Sequence, residues 1–281
     1  MRLRLTLRSA GHVTYLPFNY QYPLSSAIYR MLTASSPEYS EFLHERGYLG
    51  ADGKPRKLFT FSRLHIFPHK TPARDSLIIA PNAVLSLFIS SPMIQDFVQH
   101  LVIGLFQDQK IEIATRNSKV SFFVESVETC APPNFEETTA FKALSPIVVT
   151  TIVERHGVLQ QHYYRPGEPG LGEAVRRSLL KKHETATGRP PQDDTLHFQI
   201  DSDYVQRKGG PEKVMTLVKL KEGHPDQTNV KGFLAPFTLS GSVELMRTAW
   251  EAGLGDKCSM GFGCVGVVES KTSEVFETSE V

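Results

Sequence analysis

Segments with strand-like and helix-like apolar spacing follow one another in a fixed order along this chain, and that order restricts its fold more than any single motif. In residues 2–8, Leu3, Leu5 and Leu7 fall on one face and Arg2, Arg4, Thr6 and Arg8 on the other, which predicts a half-buried strand with a basic outer face. A helix is predicted from about Pro23, with Leu24, Ala27, Ile28, Met31 and Leu32 as its core stripe. Tyr29 lies roughly 100° round from Ile28, at the edge of the core or outside it. Ser36 as N-cap, Pro37 in the first turn and Gly47 as terminator bound a second, short helix with Tyr39, Phe42 and Leu43 on its apolar side. His44 sits off that side, in the last turn, where the helix dipole favours a charged imidazole. A strand over 58–67, strands near 76–80 and 83–89, a helix from Pro92 to Phe106 and strands at 110–114 and 120–127 complete the unit. The order β-α-β-β-α-β is that of a ferredoxin-like domain.

The pattern then repeats. Residues 130–139, with Pro132, Pro133 and the acidic pair Glu136 and Glu137, read as a linker. Strands follow at 143–153 and 159–165, then a helix at 170–183 that is basic on one side through Arg176, Arg177, Lys181 and Lys182. Strands at 195–205, 214–221 and 230–240, a helix at 242–253 and a strand at 264–269 close the repeat. The fold class is therefore α+β: two tandem ferredoxin-like (RRM-like) domains, 1–129 and 140–269, with a C-terminal glycine-rich loop. The acidic, polar residues 270–281 are expected to be a disordered tail.

That loop runs Gly253-Leu254-Gly255-Asp256-Lys257-Cys258-Ser259-Met260-Gly261-Phe262-Gly263. Glycines permit positive φ and close backbone approach, so the loop can offer bare N–H groups to an anion with Lys257 among them. The Walker A and dinucleotide patterns follow a strand and open a helix; here the order is helix, loop, strand. A tight connection with glycine caps is the plainer alternative.

Net charge is only +1, from 31 basic and 30 acidic residues, so any nucleic-acid affinity must come from local clustering. Residues 46–70 supply such a cluster: Arg46, Lys54, Arg56, Lys57, Arg63 and Lys70 stand against Asp52 alone, interleaved with Tyr48, Phe59, Phe61 and Phe67. Cations bind phosphates and aromatic rings stack on unpaired bases; a solvated strand face over core phenylalanines has the same composition. Three cysteines form no disulfide framework, and no apolar run is as long as a membrane span, so the expected location is the reducing cytoplasm, with no membrane contact.

Tyr29, His44 and the run Lys54 to Lys57 lie on consecutive elements whose ends can converge. Histidine transfers protons near neutral pH, a neighbouring cation stabilises charge on a phosphate, and a phenol can orient a hydroxyl. Together they suit metal-free RNA cleavage by the 2′-hydroxyl; singly, each is equally a surface tyrosine, a dipole-bound histidine or a solvated cation. No metal site or cofactor is expected. Pro68 separates His65 from His69, and Cys258 and Cys264 lie too far apart, with no histidine near them.

Four stretches carry a resemblance. They are the loop ending Met260-Gly261-Phe262-Gly263; Leu16-Pro17-Phe18-Asn19-Tyr20-Gln21-Tyr22-Pro23-Leu24 with Ala27-Ile28-Tyr29; Phe42-Leu43-His44 with Lys57-Leu58-Phe59-Thr60-Phe61; and Leu144-Ser145-Pro146-Ile147-Val148-Val149-Thr150. Over nearly its whole length the chain resembles the CRISPR-associated repeat-RNA (pre-crRNA) processing endoribonucleases of the RAMP superfamily. The resemblance implies one metal-independent cut per repeat, leaving a 2′,3′-cyclic phosphate and a 5′-hydroxyl. It implies a triad in which Tyr29 orients the 2′-hydroxyl, His44 moves the proton and Lys57, or Lys54 or Arg56 in its place, stabilises the phosphate. Arg46, Lys54, Arg56, Arg63, Gly253, Gly255, Lys257, Gly261 and Gly263 are the expected RNA contacts. Repeat RNA is the implied partner, and a homodimer or other proteins of a CRISPR surveillance complex are compatible ones. A non-catalytic RNA-binding subunit of such a complex is the alternative; a small-molecule enzyme lacks any cofactor motif.

Overall fold

The computed structural model describes residues 1–67, 70–116, 118–155 and 157–268; His69 and the expected tail, 270–281, lie outside the described residues. In the N-terminal half the strands Lys119–Cys130, Arg2–Ser9 and Val84–Ser90 lie side by side, all antiparallel. Thr60–Phe61 and His65–Phe67 both pair with Val84–Ser90. Numbered along the chain, the spatial order is fourth, first, third, second, with Lys110–Ala114 added outside the fourth. Helices α1 (Gln21–Ser35) and α3 (Gln99–Asp108) contribute to one core with Leu3, Leu5 and Leu7, through Leu24, Ile28, Leu32, Leu101 and Leu105. Each such side chain stabilises the domain by about 1.5–3 kcal/mol relative to exposure.

The C-terminal half repeats that order with Val265–Val267, Thr138–Ala143, Phe237–Gly241 and Leu196–Ile200. Its core joins Phe141, Phe237 and Leu239 to Val175 and Leu179 of α4 (Leu171–Thr187) and to Leu245 and Trp250 of α6 (Val243–Ala252). Two hairpins stand outside this sheet, Thr150–Arg155 with Val158–Tyr163 and Met215–Leu220 with Thr228–Phe233. No helix among the described residues is long and apolar enough to cross a membrane.

Several expected elements divide where the other domain or a cap intervenes. The 58–67 strand is broken: Leu58 has φ +49°, Leu64 N donates to the Tyr20 hydroxyl and Arg63 N donates to Leu144 O in the other half. The expected 143–153 strand divides: Thr138–Ala143 begins inside the expected linker, Leu144 and Ser145 then donate to Cys264 O, and strand pairing resumes at Thr150–Arg155. Residues 195–205 form a strand only to Ile200, because the Asp201 side chain accepts from Tyr204 N and caps the short helix α5 (Ser202–Arg207). The 230–240 strand likewise divides, into Thr228–Phe233 and Phe237–Gly241.

The basic outer face of the first strand is covered at one end only: Arg8 is partly exposed and pairs with Glu125, whereas Arg2 is enclosed. Arg2 is 3% exposed, with its guanidinium 4.3 Å from the Trp250 ring. It donates to Ser90 Oγ at 2.9 Å, Trp250 O at 2.6 Å and Val265 O at 2.8 Å. It is a joint between the two sheets.

Candidate active site and nucleic-acid interface

Ser36 Oγ accepts from Tyr39 N and starts α2 (Pro37–Glu41), which runs into a π turn at Phe42–Arg46. Gly47, at φ +67°, closes the turn through Gly47 N to Phe42 O at 2.7 Å. The turn buries Leu43 and leaves His44 exposed beside it; π turns are uncommon and recur at functional sites. From α1, the half-buried Tyr29 ring meets the His44 ring edge-on at 5.4 Å and Phe59 at 5.9 Å. Burial, with Tyr39 nearby, raises the Tyr29 pKa well above the ordinary phenol value, so its hydroxyl stays a proton donor.

Lys57 reaches the same turn. Its ammonium donates to the carbonyl oxygens of Leu43 and His44, acceptors that a helix end leaves without partners. Burial lowers the Lys57 pKa, opposed by Glu45. Left-handed Leu58 turns the chain between Lys57 and the fully buried Phe59, and its carbonyl accepts from Ser91 Oγ at 2.7 Å. The structure thus brings Tyr29, His44 and Lys57 together.

Lys57 also lines a cleft of about 570 Å³ between the domains. Lys54 and Arg56 flank it, Arg177, Lys181 and Lys182 enter from α4, and Lys257 from the glycine loop; the acids are Asp52 and Asp256. Both acids are engaged. Asp256 Oδ2 accepts from Thr150 N at 2.8 Å and Thr150 Oγ1 at 2.7 Å. Asp52 takes both arms of the Arg56 guanidinium, with Lys181 at 3.5 Å, and Arg56 holds its carboxyl far below the ordinary range. Arg56 also donates to Thr185 Oγ1 of α4 at 3.2 Å, across the cleft.

The glycine loop does not present a row of bare amides. Gly253, Gly255, Gly261 and Gly263 are buried, and the N–H groups of Gly253, Gly261 and Gly263 bond to Ala249 O, Cys258 O and Pro146 O. Close packing is what these positions require. A Cβ on Gly261 would stand 2.8 Å from the Phe61 ring, and one on Gly255 would collide with Val148 O. The cation that the loop brings to the cleft is Lys257, a non-glycine residue held at φ +56°. Lys257→Gly should therefore raise stability by about 1 kcal/mol in chemical denaturation by relieving that strain. The same change should reduce the salt slope of RNA binding by about one.

Arg46 is exposed, with its guanidinium 5.7 Å from the Phe42 ring. Arg63 lies mostly within the protein beside Tyr20, and its pKa is lowered by burial. Cys258 and Cys264 are buried free thiols whose pKa values burial raises, to about 11 for Cys264, so neither is an activated nucleophile.

Residues 15–128 match the family described as CRISPR-associated protein Cas6, N-terminal, and residues 130–267 match CRISPR associated protein Cas6, C-terminal. The chain belongs to the Cas6 family. It is 28% identical over 280 residues to the CRISPR-associated endoribonuclease Cas6 1 of Methanocaldococcus jannaschii, spanning 98% of this chain and 95% of that one. It is 24% identical over 278 residues to the CRISPR-associated endoribonuclease Cas6 of Pyrococcus furiosus, spanning 99% and 93%. A solved structure titled CRISPR associated protein Cas6 superposes with a TM-score of 0.71 at 27% identity, covering 96% and 99% of the two chains. Another, titled an RAMP protein binding different RNA substrates, shares the fold with a TM-score of 0.75 at 23% identity over 96% and 100%. Tandem ferredoxin-like domains are the architecture these Cas6 and RAMP neighbours share with this chain.

In this member of the Cas6 family the cations contributed by α4 were not singled out as site residues by sequence. The basic side of the 170–183 segment was visible, but only the packing of the domains turns Arg177 and Lys181 toward Lys54 and Arg56. Lys182 has a different task. It donates to Gly253 O at 2.7 Å, at the C-terminus of α6, and lies 3.1 Å from Cys258 Sγ.

Proposed function

We propose that this chain binds CRISPR repeat RNA in the cleft between its domains and cuts it at the His44 end by attack of a 2′-hydroxyl on the adjacent phosphodiester. One observation carries the reading: an exposed imidazole, a phenol kept protonated and a lysine ammonium meet at the edge of a cleft lined by cations from both domains. The naming of relatives as CRISPR-associated endoribonucleases supports it. In the step, the 2′-oxygen forms a bond to phosphorus and the P–O5′ bond breaks, giving a 2′,3′-cyclic phosphate and a 5′-hydroxyl. One proton leaves the 2′-hydroxyl and one reaches the 5′-oxygen, and His44 serves these transfers. Tyr29 donates to and orients the attacking group, and Lys57 turns from the helix-end carbonyls to the charge developing on phosphate. The step uses no metal.

A repeat RNA with a single 2′-deoxynucleotide at the scissile position tests this. It should bind within about threefold of the all-ribose RNA, because phosphate contacts dominate affinity, yet remain uncut. Cleavage of the deoxy substrate would overturn the mechanism. If the all-ribose RNA is bound but left intact, the chain is an RNA-binding subunit instead.

A further inference from the structure

Two adjacent residues of the π turn Ile94–Val98, which precedes α3, connect through intermediaries to both members of the Tyr29–His44 pair. Phe97 is fully buried and stacks on Phe59 at 4.5 Å, and Phe59 is the ring against which Tyr29 rests. Asp96 accepts from the Tyr48 hydroxyl at 3.1 Å. Tyr48 follows Gly47, the residue that closes the His44 turn, and pairs with Arg56, the neighbour of Lys57. The Tyr48 proton is committed to the carboxylate, so at the 3.0 Å Tyr39–Tyr48 contact Tyr39 must donate. The Phe42 ring, in the His44 turn itself, packs on both phenols, 6.1 Å from Tyr39 and 5.4 Å from Tyr48.

We propose that Tyr39, Tyr48 and Asp96 form a bracket that fixes where His44 and Lys57 stand relative to Tyr29, and that they are positioning residues for the cleavage step. This rests on the cleavage reading above. His44 is exposed, so little packing of its own holds it; its place is set by the turn, and the turn's place by Phe42 and Tyr48. Beyond Gly47 the chain makes an excursion, in which Tyr48–Leu49 pairs with Pro55–Arg56 and Gly50 N donates to Lys54 O. The Tyr48–Asp96 bond is what ties its first strand to the second π turn. A hydrogen bond to a charged acceptor contributes more than a neutral one, and small misplacements of reacting groups cost rate far more than affinity.

The test is single-turnover cleavage at saturating protein, with RNA affinity and melting measured alongside. Tyr48→Phe and Asp96→Ala should each slow cleavage about tenfold, with the RNA Kd within about twofold of wild type. The double variant should be no slower than either single one, because both remove the same bond. Asp96→Asn should restore most of the rate, since its amide oxygen accepts the same phenol proton. Wild-type rates in both Tyr48→Phe and Asp96→Ala, or a loss seen equally in Kd, would overturn the bracket. A His44→Ala control separates the failures: if it abolishes cutting while the bracket variants cut normally, only the bracket falls. If wild-type protein leaves the RNA intact, the cleavage reading falls and the bracket with it.

Discussion

Replacing His44 with alanine is expected to slow repeat-RNA cleavage by a factor on the order of 10² to 10⁴, the usual contribution of a positioned proton-transfer group. Affinity should stay within about threefold, because the cations lining the cleft are untouched and phosphate contacts carry most of the binding. Stability should also hold. His44 is exposed and, among the described residues, its ring meets only the edge of Tyr29, so truncation opens no cavity. Lys57→Ala makes an informative contrast: it removes a cation from the step and also strips two helix-end carbonyls of their donor, so both rate and melting temperature should fall. Single-turnover kinetics with a thermal melt on each variant separates these outcomes. A His44→Ala protein that cuts at the wild-type rate would remove the imidazole from the mechanism.

The second large effect is structural. Arg2→Ala should destabilise the protein by about 3–5 kcal/mol, because three buried acceptors lose their donor at roughly 1–3 kcal/mol each. Two carbonyls, Trp250 O and Val265 O, and the Ser90 hydroxyl would lose their donor inside the domain junction. The space beside the Trp250 ring would empty as well. At about 2–4 °C per kcal/mol for a chain of this size, the melting temperature should drop by roughly 6–20 °C. Trp250 is the only tryptophan, and at 3% exposure its fluorescence reports the junction directly. A red-shifted emission maximum in the folded variant is the expected sign that the domains have loosened. Unchanged melting and emission would show that Arg2 is not the joint. Arg2→Lys should fall between, because one ammonium cannot span three acceptors as the planar fork does.

What could be read from the chain and what could not divides along physical lines. Strand alternation at Leu3, Leu5 and Leu7 and the helical stripe through Leu24, Ile28 and Leu32 are local, and both domains follow from such patterns. The phases of Tyr29 and His44 are also local: each sits off its helix's apolar stripe, and both emerge at one place. The resemblance put Lys57 first with Lys54 and Arg56 open beside it; residue spacing alone could not choose, because the path of the chain there turns on the left-handed Leu58, which no propensity predicts. Arg2 looked like a surface charge because alternation gives the face a residue occupies but not what covers that face. The glycines left an anion cradle and a tight capped connection both open, because what Gly255 and Gly261 permit is close approach to the Val148 carbonyl and the Phe61 ring, partners far away in sequence. A π turn has no signature in residue spacing, so the feature that lifts His44 clear of Leu43 had to be seen.

End-group analysis of labelled repeat RNA, incubated with the protein in excess EDTA, tests the central claim most directly. One cut per repeat, with a 2′,3′-cyclic phosphate on the upstream fragment and a 5′-hydroxyl on the downstream one, is the predicted result. Fragments carrying a 3′-hydroxyl and a 5′-phosphate, or cutting that appears only when a divalent metal is restored, would contradict it.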